Sequence, residues 1–112
     1  MKYSLLSIIM LLFIACNKNS DIKETSCDGS TPTFDNEISV IINTSCAISG
    51  CHPDASARHG DYSSYEAFEK HRNNGSFEKK VLTKQTMPKG FTLTQEELNL
   101  IQCWVDNGFP EN

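Results

Sequence analysis

Cys46-Ala47-Ile48-Ser49-Gly50-Cys51-His52 is the stretch that decides how this chain is read. Two thiols and an imidazole stand within seven residues. Such side chains can bond to a cofactor or hold a metal ion, and the thiols alone can join each other. Four residues separate the cysteines, so the loop between them must bulge. Ala47, Ser49 and Gly50 are small, and Gly50 tolerates backbone conformations closed to other residues. Ile48 can turn inward.

The chain on either side is patterned for helices. A first helix is predicted over Asp35 to Thr44, with Ile38, Ile41 and Ile42 on one face and Thr33 as N-cap. Residues 53–60 read as loop. A second helix is predicted to start at Ser63, which forms a capping-box pair with Glu66, and to stop at Asn73-Asn74-Gly75. A short helix is expected around Phe77 to Thr83, then a loop from Gln85 to Phe91. The last helix carries the clearest signals. Thr94 and Glu97 make a capping box, and Leu93 can staple onto Leu98. Leu98, Ile101 and Val105 form the apolar stripe with Trp104 beside it, and Asn107-Gly108 ends it. No run alternates like a strand. The expected fold class is all-α, with three to five helices. Trp104 is expected to pack between the first and last of them.

The first fifteen residues look like an exported segment. Lys2 is their only charge, and an apolar run follows from Leu5 to Ala15, too short to span a bilayer. Its end, Phe13-Ile14-Ala15-Cys16, resembles a bacterial lipobox. That resemblance implies a signal peptide over 1–15 and Cys16 as the acylated first mature residue, a membrane lipoprotein of the cell envelope facing the periplasm. Asn17 lacks the aspartate that retains such proteins at the inner membrane, so the outer membrane is preferred. Residues 16–32 are polar and read as a tether, with a typical reach of about 20–25 Å if flexible. Residues 33–112 form the domain.

The order Cys46, Cys51, His52 resembles the attachment site of c-type cytochromes, normally Cys-x-x-Cys-His and here in a widened variant. Met87-Pro88, a capped helix, an aromatic near its end and a glycine resemble the closing pattern of class I cytochromes. The likeness runs from about Phe34 to Pro110. It implies a small cytochrome c-like fold around one covalent haem c. Cys46 and Cys51 would carry the thioethers, with His52 and Met87 as axial iron ligands. With the signal removed, Met87 is the sole methionine. His59 and His71 are its rivals for the far side of the iron. His59 lies close to His52 in the chain, and His71 falls on a helix beside Lys70 and Arg72, where a solvated face is the plainer account. The implied function is single-electron transfer, with no substrate chemistry by the protein.

Other readings compete. Cys-x4-Cys is within structural zinc spacing, with Cys27, Cys103 or His52 to complete a tetrahedron. Cys46 and Cys51 could instead bond to each other in a disulfide-stapled binding or structural module without haem. A haem sensor or enzyme with an open sixth position is the remaining class. With Cys16, Cys46 and Cys51 assigned by resemblance, Cys27 and Cys103 remain, in a compartment where disulfides persist, and are expected to pair. That bridge would pin the far half of the tether to the last helix.

Removing Lys2 leaves nine basic and fourteen acidic residues, a mature net charge of −5 that argues against nucleic acid as partner. The charge is uneven. From Lys70 to Lys89 there are six basic residues and one acid, Glu78. Such a basic stretch leading into Met87 can steer an acidic redox protein partner. The membrane, through the lipid anchor, is the other expected contact.

Overall fold

The computed structural model describes residues 21–112, so the signal segment, Met1, Met10 and Cys16 lie outside the described residues. The described chain is helical, and no strand occurs in it. Helix α1 begins as a wide π-helical turn, Phe34–Ile38, and continues as α-helix Ser39–Ser45. Helix α2 is Tyr65–Arg72. Helix α3 begins at Ser76–Glu78 and widens into a π-helical turn, Lys79–Thr83. Helix α4 is Gln95–Asp106.

The capping chemistry explains where the helices start. At α4 the Glu97 N–H donates to Thr94 Oγ1 (3.2 Å) and the Thr94 N–H to Glu97 Oε2 (2.7 Å), the expected reciprocal box. At α2 the N-cap is Ser64, one residue later than expected. Its hydroxyl accepts from the Ala67 N–H, while the Ser63 N–H and hydroxyl donate to Asp61 Oδ1. Two serines competed, and the aspartate turn took the first. Thr33 stands at the N-cap of α1, but its hydroxyl caps no N–H there. The Phe34 and Asp35 N–H groups instead donate to the carbonyls of Pro110 and Glu111, both at 2.9 Å. The chain beyond α4 thus folds back and caps α1 with main chain, which local sequence cannot signal.

Trp104 is the centre of the core and is fully buried. Its ring meets Phe34 of α1, Phe68 of α2, Phe77 of α3 and Phe109 of the returning tail, at centroid distances of 4.9–6.1 Å. Its indole N–H donates to the Pro110 carbonyl at 2.9 Å. Trp104 therefore joins all four helices, where the sequence pattern placed it between two. Val105 is only partly buried, so the stripe of α4 is Leu98, Ile101 and Trp104, with Cys103 beside them. Phe109 has φ +60°, uncommon for an aromatic residue. Its carbonyl accepts from Tyr65 Oη at 2.8 Å and its ring packs edge-on to Trp104, contacts that hold the backbone there.

Cys27 and Cys103 are joined in a disulfide across a sequence separation of 76. The segment on either side of Cys27 is bound along α4 as a strap. Glu24 O accepts from Gln95 Nε2, the Ser26 N–H donates to Asn99 Oδ1, and Ser30 O accepts from Asn107 Nδ2. In the chain-entropy account a loop this long is worth about 4 kcal/mol. Cys27→Ala/Cys103→Ala is therefore expected to lower unfolding stability by about 3–4 kcal/mol in urea titration. A change under about 1 kcal/mol would show that the hydrogen-bonded strap closes the loop unaided.

Candidate functional site

The cysteine segment follows directly from the end of α1. The Cys46 and Ala47 N–H groups donate to the Ile42 carbonyl, which carries the helical winding into the segment. The Cys51 N–H then donates to Ile48 O (3.0 Å) and the His52 N–H to Cys46 O (3.1 Å). The four residues between the cysteines are looped out, and His52 is drawn back beside Cys46. Gly50 makes the turn at φ +82°. A Cβ there would meet nothing, so the demand for glycine is conformational.

His52 is held by a second loop. Its Nδ1 lies 2.9 Å from the Gly60 carbonyl, which can only accept, so Nδ1 carries a proton and Nε2 is the nitrogen left for another partner. The Tyr62 N–H donates to the His52 carbonyl at 3.1 Å, and the Tyr62 ring stacks on the imidazole at 4.2 Å with planes 5° apart. This is how proteins orient a ligating histidine, by tying its other nitrogen to an acceptor. Tyr62 in turn packs edge-on to Phe68 and Phe77, so the orientation of His52 is rooted in the core. Gly60, at φ +101°, lies under the His71 ring, and a Cβ there would stand 3.0 Å from it.

Cys46, Cys51, His52 and Met87 all line one cavity of about 420 Å3, within the usual range for small-molecule sites. Cys46 is buried, Cys51 half-buried, and both thiols are free. Burial, with Cys51 nearby, pushes the Cys46 thiol up to about 11, so it stays protonated at neutral pH. Burial and Cys46 likewise raise the Tyr62 hydroxyl. Met87 comes from the loop after α3. The Thr86 and Met87 N–H groups both donate to the Lys80 carbonyl (2.9 and 3.2 Å), which the wide last turn of α3 leaves available. Met87 is partly buried against the core.

His59 and His71 also line this cavity, so His71 does not sit on a purely solvated face. Cys27 and Cys103 do not line it. Among the described residues, one group of three ligand atoms lies within 4.8 Å of one another: Cys27, Asp28 and Cys103. Both sulfurs there are spent in the disulfide. Cys46, Cys51 and His52 are set wider than that and do not form the close cage of a structural zinc. In the sequence pattern Tyr62 stands out from no other aromatic, and Gly60 falls in the loop 53–60. Neither carried a signal of its own, because their roles arise only when residues 52–62 close on themselves.

The basic stretch is partly neutralised. Lys70 pairs with Glu66 (3.6 Å), and Arg72 pairs with Glu69 (3.1 Å) and lies over the Phe109 ring. Lys80 and Lys89 stand on the cavity wall. Among the described residues, no helix is long and apolar enough to cross a membrane. No protein-family model, no curated protein and no solved structure matches this chain.

Proposed function

We propose that this chain is a lipid-anchored monohaem c-type cytochrome that passes single electrons in the cell envelope. The observation that carries this reading is convergence. Two free thiols, an imidazole with its Nδ1 already engaged and a thioether, scattered over 42 positions of sequence, line one cavity with an aromatic wall. That donor set suits haem c better than zinc, which favours a tight tetrahedron, or a plain disulfide, which would leave His52 and Met87 without a role.

On this reading Cys46 and Cys51 would hold the haem covalently, and His52 and Met87 would ligate its iron. When bound, the haem iron supplies the one-electron chemistry, alternating between ferrous and ferric. The remaining chemistry belongs to the chain. Gly60 and Tyr62 fix the tautomer and plane of His52 before any cofactor arrives, so little reorganises later. The Lys80 carbonyl holds the Met87 loop against α3. Tyr62, Phe77 and Val81 form the apolar wall that excludes water. Lys80 and Lys89 on the cavity wall, with Lys79 nearby in sequence, supply positive charge that would steer an acidic redox partner.

The test is expression of the mature protein with the cytochrome maturation machinery. A covalent haem by mass and a c-type reduced spectrum are expected. Colourless protein with Cys46 bonded to Cys51 would end this reading in favour of a haem-free envelope module. His59 and His71 on the same wall give a specific alternative for the far ligand. Met87→Ala is expected to abolish the methionine-to-iron charge-transfer band and lower the reduction potential. An unchanged band and potential would transfer the ligand role to a histidine or leave an open sixth position.

A further inference from the structure

The strap sets how far the domain can stand from its anchor. Lys23 is locked on three sides. Its N–H donates to Gln85 Oε1 (3.0 Å), its carbonyl accepts from Gln85 Nε2 (2.6 Å), and its Nζ donates to the Leu93 carbonyl (2.8 Å). From there the strap follows α4 from its N-terminal end to the disulfide. Only six residues lead from Cys16 to Ile22, and fully extended they span at most about 20 Å. The tether expected over residues 16–32 is bound to the domain from Lys23 onward.

The chain therefore enters the domain at one place, beside the start of α4, and the surface there is unusual. Three large apolar residues are exposed among the described residues, and two of them, Ile22 (55% exposed) and Phe91 (51%), line the same groove of about 180 Å3. Met87, Pro88 and Lys84 also line it, with Asp21 as the acid beside them. An aromatic, a branched aliphatic and a lysine on one face, a few residues from Cys16, suit the boundary of a bilayer.

We propose that the groove face formed by Ile22, Phe91 and Lys84 lies against a phospholipid bilayer surface. This orientation rests on the lipid-anchor reading of Cys16. Ile22 and Phe91 enter the headgroup level, and Lys84 meets a lipid phosphate. The cavity lined by Cys46, Cys51 and His52 adjoins this groove through Met87 and Pro88.

The test uses the full mature chain carrying Cys16→Ser, so that no acyl chain contributes. Co-sedimentation with phosphatidylcholine vesicles containing phosphatidylglycerol is compared for this chain and for the same chain with Ile22→Asn and Phe91→Asn. The double substitution is expected to lower partitioning at least tenfold with helicity unchanged, and vesicles are expected to slow amide exchange over residues 89–93. Equal partitioning, protection on another face, or a concentration-dependent dimer lost in the double variant would overturn the proposal. Acylation of Cys16 is read separately, from the mass of the membrane-extracted native chain. An unmodified Cys16 with intact vesicle selectivity would remove the anchor and leave the surface standing.

Discussion

Trp104→Ala is expected to lower the unfolding free energy by about 3–5 kcal/mol, the range for deleting a large buried aromatic. A domain of this size has roughly 5–15 kcal/mol to lose, so the variant would be near the edge of folding. The reason is position. Trp104 is fully buried, touches one aromatic from each of the other three helices, and meets Phe109 of the tail. Its N–H also holds the Pro110 carbonyl, next to the main-chain cap of α1. Loss of the indole should therefore loosen α1 as well as α4. Urea unfolding gives the magnitude, and amide exchange at Phe34 and Asp35 gives the coupling. Trp104→Phe keeps most of the ring area and should cost markedly less, with the same two amides exposed by loss of the indole hydrogen bond. A loss below about 1.5 kcal/mol for Ala would mean that the core closes without this residue.

The second large effect concerns the cysteine pair. Cys46→Ala/Cys51→Ala is expected to remove covalent haem altogether while leaving the fold in place. Cys46 and Cys51 are free thiols, so no cross-link is lost. The hydrogen bonds that shape the loop, from Cys51 to Ile48 and from His52 to Cys46, are made by backbone atoms and survive substitution. His52 keeps its Gly60 and Tyr62 contacts for the same reason. Purified from cells with the maturation machinery, the double variant should show the native helical spectrum and a mass without haem. Each single variant should retain one thioether at most. Covalent haem persisting in the double variant would sink the assignment of these thiols.

Helix ends were the most legible part of the fold. Thr94 with Glu97, and Asn107-Gly108, bracket α4 as expected because a capping box is a contact between residues three apart. The start of α2 shifted by one residue because two adjacent serines offer the same chemistry, and only Asp61 distinguished them. The wide turns of α1 and α3 had no sequence signature. In α3 that turn leaves the Lys80 carbonyl for Met87, a consequence of the loop's path.

By itself the sequence determined the helical class and the helix boundaries to within a residue or two, and it set apart Cys46, Cys51, His52 and Met87. The former follow from short-range hydrogen bonding and 3.6-residue periodicity, while the expected pairing of Cys27 with Cys103 rested on the resemblances that assigned the other three cysteines, and the folded chain made it. Tertiary structure alone decided that Met87, His59 and His71 share a cavity with the cysteines, that Tyr62 and Gly60 aim His52, and that residues 23–30 are strap rather than tether. Each of these depends on groups brought together by folding, from eight residues apart at His52 and Gly60 to 77 at Ser30 and Asn107. Such contacts arise when a core built on Trp104 closes, and no local pattern encodes them.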